Sequence, residues 1–302
     1  MKLKILILGA GYGTRLQRDI KQEPCQKYNH LLGLPKALLP IGDKDALITH
    51  WLQIFRNSEL NSNNSINSSV YVVTNSKFYS NFISWANENG IPTSNIANDG
   101  TTCNEDRLGA ISDIQFGLKY FQLYDSDVLI IGGDTLFLSD FNFNKLMKQF
   151  KDNKDGCLLT TYIVPPDENI SKYGILTLEN LSNDQILVID FIEKPNNPSQ
   201  KIISRNACPC FYFLKREALL LIDEFLKESK EDKSQTIEDR DATGKFLAWV
   251  INENKFKLYA SKVEGRIDVG GLESYLEAQK YFENQKFPKL DSLEKDTNKL
   301  IN

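Results

Sequence analysis

The apolar run Leu3 to Leu8 ends directly on Gly9-Ala10-Gly11-Tyr12-Gly13-Thr14-Arg15, and this junction constrains the fold more than any other stretch of the chain. A short apolar run bounded by glycines reads as a buried strand that turns at the carboxyl edge of a sheet. There the absence of side chains lets backbone N–H groups come close to an anion such as phosphate. Such a strand suits a mostly parallel sheet covered by helices, the α/β arrangement that the alternation of elements below predicts. Lys2 and Lys4 before Ile5-Leu6-Ile7-Leu8 imitate an export signal, but that apolar stretch is too short and glycines follow it.

Two other anion-binding loops fit less well. A dinucleotide fingerprint would place its third glycine where Thr14 stands, and the second strand ends Val73-Thr74-Asn75 without the acid that grips a ribose. A nucleotide loop of the Walker type would need Gly-Lys-Ser/Thr at its end, which is missing.

Beyond the junction, apolar runs of strand length alternate with segments of helical period. Strands are expected at Leu3 to Leu8, Val70 to Thr74, Asn95 to Ala97 and Val128 to Ile131, with helices at about Ala46 to Arg56, Lys77 to Asn89 and Leu108 to Leu123. The pattern then becomes strand-rich, at Cys157 to Val164, Tyr173 to Leu178, Ile186 to Ile192 and Cys210 to Leu214. Helices follow near Arg216 to Lys227, Ala242 to Asn252 and Leu272 to Phe282. Asn57 to Ser69 is almost all Asn and Ser and reads as a flexible insertion without catalytic meaning, and residues 287–302 read as a polar tail. No internal repeat is visible. One domain over 1–286 is expected, with halves at 1–150 and 151–286.

A net charge of −4 gives no electrostatic case for nucleic acid or an anionic membrane, so any phosphate must be bound locally. No apolar stretch reaches the roughly 18 residues of a membrane span. The five cysteines lack metal-ligand spacing, and Cys208 and Cys210 around Pro209 read as core residues on a strand. The chain reads as soluble and cytoplasmic, and whether it forms a homo-oligomer is left open.

Gly11-Tyr12-Gly13-Thr14-Arg15, followed by Pro35-Lys36-Ala37-Leu38-Leu39-Pro40-Ile41, resembles the signature of sugar-1-phosphate nucleotidylyltransferases, and most of all the glucose-1-phosphate thymidylyl- and uridylyltransferase branch. The resemblance implies an α/β fold, Rossmann-like, with a mixed, mostly parallel sheet, helices on both faces and a strand-rich sugar-binding cap. It implies that Leu8, Gly9, Ala10, Gly11, Gly13 and Thr14 hold the nucleotide and that Arg15 and Lys36 act on its phosphates. Arg107-Leu108-Gly109-Ala110 resembles the segment that touches the base, so Leu108 and Gly109 join the nucleotide site, with Gly133.

Ile130-Ile131-Gly132-Gly133-Asp134 is an apolar strand running into a carboxylate, and Glu264 to Gly271 carries Asp268 ahead of a helix. Each aspartate alone reads as a turn or cap residue. The resemblance makes Asp134 and Asp268 the ligands of Mg2+, an ion that takes few protein ligands and keeps waters. It likewise implies that Tyr173, Gly174, Glu193 and Lys194 hold the sugar, with Lys194 on its phosphate, whereas unaided spacing leaves the last two as an ordinary exposed ion pair. Leu16 to Leu34 is several residues longer than the family's spacer, and Asn206 to Tyr212 lacks the glycine that many relatives have before an aromatic strand. His30 in that spacer reads as a surface histidine.

The implied activity joins a nucleoside triphosphate, UTP or dTTP, to a sugar 1-phosphate, glucose 1-phosphate in the first place, with release of pyrophosphate. Two other readings stay open. One is a catalytically silent nucleotide-sugar-binding or regulatory homologue. The other is a nucleotide-sugar glycosyltransferase, for which Asp125-Ser126-Asp127 matches the Asp-x-Asp letters but precedes its strand instead of following it.

Overall fold

A computed structural model of the chain describes residues 3–44, 46–61, 66–181, 185–195, 204–231 and 242–286. The expected polar tail, 287–302, lies outside the described residues, as do 62–65 of the Asn/Ser-rich insertion. On either side of that gap the insertion forms single 3-10 turns, Glu59–Asn61 and Ile66–Ser69, and Ile66 is buried.

The first strand, β1 (Leu3–Leu8), lies between β2 (Val70–Thr74) and β4 (Asp127–Gly132), parallel to both, with Ile5 opposite Val70 and Leu129. β3 (Ile96–Asn98) pairs with β2, also in parallel. Because side chains alternate across a strand, Leu3, Ile5 and Ile7 join one core and Leu6 the other. β4 divides in the same way, with Leu129 and Ile131 on one face and Val128 and Ile130 on the opposite one. A sheet apolar on both faces must be covered by helices on both.

The covering helices follow from their own periodicity. α2 (Leu47–Arg56) buries Leu47, Ile48, Trp51, Leu52 and Phe55, one stripe of a 3.6-residue period. Each such side chain contributes about 1.5–3 kcal/mol by leaving water. α3 (Tyr79–Asn89) packs on the same face through Phe82 and Trp85, whereas α4 (Ala110–Tyr120) covers the other with Ile111, Ile114 and Leu118.

Short α1 (Thr14–Gln22) falls where no helix is expected from the sequence. The apolar run after Pro35 begins as a 3-10 turn, Lys36–Leu38, and not as a strand. Its apolar residues Ala37, Leu38, Leu39 and Ile41 nonetheless fill the core, because a turn ending on extended Leu39 can bury them without pairing.

The second half continues the same sheet. β10 (Phe211–Leu214) runs antiparallel between β4 and β6 (Gly156–Ile163), and β11 (Lys257–Lys262) is parallel to β6. β7 (Gly174–Asn180), β8 (Ile186–Glu193) and β9 (Asn206–Ala207) complete an order of β11-β8-β7-β9-β6-β10-β4-β1-β2-β3. Parallel pairing is thus confined to the β3-β2-β1-β4 block and to β6–β11.

A separate two-stranded ribbon joins β5 (Thr135–Phe137) to β12 (Arg266–Asp268). α5 (Phe143–Asp152), α6 (Arg216–Glu231), α7 (Thr243–Asn252) and α8 (Leu272–Lys286) complete the described helices. Among the described residues no helix is long and apolar enough to cross a membrane.

Candidate active site

The sheet reverses polarity between β4 and β10, so the carboxyl ends of β1 and β4 meet the entry of β10 at one edge. Gly133 N–H donates to the Leu8 carbonyl at 2.9 Å and Gly132 N–H to the Cys210 carbonyl at 2.8 Å, which ties the three together. A cleft of about 420 Å³ opens there. A Cβ on Gly133 would stand 2.5 Å from the Leu8 carbonyl oxygen and 3.1 Å from Ala37 Cβ, so only glycine lets β4 approach the loop this closely.

The glycine loop is held from behind. Gly9 N–H donates to the Val73 carbonyl at 2.8 Å, and buried Asn75 Nδ2 donates to the Ala10 carbonyl at 2.7 Å. Gly13 adopts φ 62°, the left-handed conformation that turns the chain into α1. Among the described residues, the N–H groups of Ala10, Gly11, Tyr12 and Gly13 have no protein acceptor. Leu8, Gly9, Ala10, Gly11 and Gly13 line the cleft, and the free donors of Ala10, Gly11 and Gly13 form a seat for an anion.

Lys36, at the start of its 3-10 turn, reaches across the loop and places Nζ 3.3 Å from Asp134 Oδ2. Asp134 continues from β4 into β5, and β12 pairs beside it with Asp268 opposite Thr135. The carboxylates therefore share one side of the cleft, and Val269 N–H donates to the Asp134 carbonyl at 3.0 Å. Burial raises the pKa of Asp268, and the charge of Asp134 adds to this, against the opposing pull of Arg266 and Lys36.

Two carboxylates facing each other, with open cleft around them, fit a hard divalent cation that retains waters. Among the described residues no cluster of three or more His, Cys, Asp or Glu forms.

Across the cleft, β7 and β8 pair with Gly174 opposite Glu193, and Lys194 N–H donates to the Tyr173 carbonyl at 3.0 Å. Tyr173, Gly174, Glu193 and Lys194 all line the cleft. The Glu193 side chain is 12% exposed, and burial raises its pKa against the pull of Lys194 and Lys245. Lys194 sits at φ 47° with its side chain 62% exposed and Nζ 3.9 Å from Glu193 Oε1.

Three expected residues stand apart from the cleft lining. Thr14 is the first residue of α1, and Leu108 is half-buried just ahead of Gly109, which does line the cleft and caps α4 at φ 91°. Arg15 is exposed and lies over Gly270, its Nη1 3.4 Å from where a Cβ there would be, with Asp268 Oδ2 3.9 Å from the same point. His30 is exposed. Asp127 begins β4, at the end of the strand away from Asp134, and caps Arg216 N–H at 3.1 Å.

The expectation that Cys208 and Cys210 are core residues on a strand is corrected. Both lie between β9 and β10, are half-buried and line the cleft, because Pro209 cannot donate to a ladder and interrupts the pairing. Burial holds both as thiols and pushes Cys210 up to about 12.

The cleft also holds residues that the sequence reasoning did not assign, among them Arg107, Lys172, Thr243 and Arg266. Tyr212 Oη and Thr243 Oγ1 lie 2.8 Å apart within it. Arg266 had a readable signal: it stands two residues before Asp268, hence on the same face of a strand.

The model of the nucleotidyl transferase family matches residues 4–285. No curated protein matches the sequence. Solved structures share the fold. A Bacillus anthracis protein assigned as a glucose-1-phosphate thymidylyltransferase and solved with sucrose superposes with a TM-score of 0.62 at 17% identity, over 95% of this chain and 98% of its own. UDP-glucose pyrophosphorylase aligns over 94% of this chain and all of its own. Without ligand it gives a TM-score of 0.65 at 19% identity, and complexed with UDP-glucose 0.65 at 20%.

Proposed function

The chain belongs to the nucleotidyl transferase family, and on that premise we propose that it joins a nucleoside triphosphate to a sugar 1-phosphate and releases pyrophosphate. The observation that carries this reading is a single cleft lined by the glycine loop and Lys36, by Asp134 and Asp268, and by Tyr173, Gly174, Glu193 and Lys194. One end offers donors to a polyphosphate, the other a carboxylate and backbone groups to hydroxyls. UTP or dTTP and glucose 1-phosphate are the proposed substrates, in keeping with the names of the structural relatives. The cytoplasm is the proposed place of action.

In this reaction an oxygen of the sugar phosphate attacks the α-phosphorus as the bond to pyrophosphate breaks in line. A phosphate monoester with a second pKa near 6 is largely dianionic at neutral pH, so the nucleophile needs no general base. The protein's work is to bring two polyanions together and offset their charge. The free N–H groups of the loop and Lys36 receive the triphosphate. Arg15, beside Gly270, adds charge near Asp268. Glu193 accepts from sugar hydroxyls, and Lys194 offsets the attacking phosphate. Asp134 and Asp268 would hold Mg2+, which supplies a Lewis acid to the phosphate oxygens.

Pyrophosphate release across four nucleotides and several sugar 1-phosphates tests the proposal. Release by one pair, dependent on both substrates, is expected. Release without any sugar 1-phosphate refutes it.

A further inference from the structure

We propose that Arg266 receives the phosphate of the acceptor, and that Asp268 holds its guanidinium in place until a divalent cation competes for that carboxylate. The proposal rests on the reading of the cleft as a sugar-1-phosphate site.

Arg266 is the first residue of β12, opposite Phe137, and its side chain is only 13% exposed. Its guanidinium carbon lies 5.8 Å from the ring centre of Tyr162 and 5.6 Å from that of Tyr173. Nε donates to the Tyr162 hydroxyl at 3.1 Å, and Nη1 lies 2.7 Å from Asp268 Oδ1. Burial works against the charge of Arg266, but Asp268 and Tyr162 outweigh it, so the group stays a cation.

An arginine carries five N–H donors in a planar fork. Two meet protein acceptors here, and among the described residues the other three meet none. The part of Arg266 not covered by protein faces the cleft. No Arg266 nitrogen is sealed from solvent without a partner, so these donors open to the cleft, where water holds them until the oxygens of a bound anion replace it.

The position specifies which ligand group. Arg266 stands between Asp268, on the polyphosphate side, and Tyr173, on the sugar side. The anomeric phosphate of the acceptor has to occupy that interval to reach the nucleotide. A planar fork also matches phosphate oxygens two at a time, which the flexible point charge of Lys194 does not.

The pair with Asp268 is made through Oδ1 only, and Oδ2 has no hydrogen-bond partner among the described residues. Asp268 is therefore shared between a fixed arginine and whatever cation enters beside Asp134. A cation taking that carboxylate weakens its hold on Arg266 as a dianionic phosphate supplies a stronger partner. Tyr162 keeps the stem in place throughout.

The test uses Arg266→Gln and Arg266→Lys in the full chain, with pyrophosphate release by the active substrate pair and calorimetric titrations. Arg266→Gln is expected to raise the KM for the sugar 1-phosphate roughly ten- to a hundredfold while the nucleotide KM stays within about threefold. Titrated with MgCl2 alone, the same variant should bind magnesium roughly three- to tenfold tighter, because the competitor for Asp268 is gone. A merely structural arginine would leave that affinity unchanged or weaken it.

Arg266→Lys keeps a charge on Asp268, and so protects the fold, yet loses the fork. It should raise the sugar-phosphate KM about fivefold. Equal changes in both KM values, or an unchanged sugar-phosphate KM in folded Arg266→Lys, overturn the proposal. Inorganic phosphate titrated in the presence of MgCl2 separates the two readings. If the wild type releases no pyrophosphate with any pair but binds phosphate through Arg266, the nucleotidyl-transfer reading falls and the role of Arg266 stands. If the wild type is active and neither KM nor phosphate binding responds to Arg266, only the inference falls.

Discussion

Lys36 and Asp134 face each other at 3.3 Å with side chains 20% and 37% exposed, a pair too solvated to add much stability. Its worth lies in what it positions. Asp134→Asn should lower magnesium-dependent turnover by roughly a thousandfold, the scale of losing a metal-centred electrostatic contribution. The thermal midpoint should stay near that of the wild type, because the change also removes a negative charge from beside Asp268. Steady-state pyrophosphate release with a melting curve checks both, and undiminished turnover removes Asp134 from the mechanism. Glu193 makes the converse case. Burial raises its folded-state pKa, so the folded chain binds a proton at a pH where the unfolded chain has lost it. Its contribution therefore opposes folding above that window and is relieved as pH falls through it. Glu193→Gln should be more stable than the wild type at pH 7. The difference should close as pH falls toward the ordinary Glu value of about 4.3. The sugar-phosphate KM should rise in the same variant. Melting midpoints of both proteins across pH decide it, and a variant no more stable than wild type at pH 7 counts against the account.

The β5–β12 ribbon brings the two carboxylates together, and it is anchored by Trp51 of α2. Trp51 Nε1 donates to the Thr135 carbonyl at 2.9 Å, one residue past Asp134, and the indole packs among Phe55, Phe137, Phe141 and Phe211. Trp51→Phe would leave that carbonyl buried without a donor, a loss of about 1–3 kcal/mol. It should also lower kcat by loosening Asp134 against Asp268. Urea denaturation with steady-state kinetics measures the two effects, and a wild-type unfolding midpoint would show that the bond anchors nothing. Such a ribbon was hard to read from sequence. Thr135–Phe137 and Arg266–Asp268 are three residues each, too short for a period of two to register. α1 was missed because Leu16 and Ile20 are its only buried residues, one turn apart on an otherwise polar segment. The legible elements were the fully buried ones. Leu3 to Leu8 and Val70 to Thr74 match β1 and β2 end to end, since long β-branched and aliphatic runs leave little alternative. Of the site, the glycine loop, Lys36 and Asp134 were legible because each follows a strand or a proline, whereas Asp268 was reached only through the family resemblance. Thr243 and the cleft-facing cysteines were not legible, because their role depends on which edges meet in space, and Arg266 was readable only from its place two residues before Asp268.

At the scale of the whole molecule, the cleft is cut into one sheet instead of lying between two bodies. Phe211, Phe213 and Tyr259 of the second half share a core with Ile5, Ile7 and Trp51, and Tyr212 and Leu219 share the other core with Leu6 and Ile114. The seam is a full ladder, β10 against β4 from Phe211↔Ile131 to Leu214↔Val128, so neither half can leave without exposing both cores. The expected halves, 1–150 and 151–286, should therefore not unfold separately. Calorimetry should show one transition, with calorimetric and van't Hoff enthalpies agreeing. Because the glycine loop, Asp134 and Asp268 come from three strands of that one unit, a nucleotide binding them stabilises all of it. At a hundred times its Kd with magnesium present, the gain is about 2.7 kcal/mol. For a chain of this size that moves the single midpoint up by about 4 °C. Two resolved transitions, only the first of them moved by nucleotide, would show that the sheet is continuous in geometry but not in cooperativity. The acceptor half would then have to be positioned by the substrates and not by the fold.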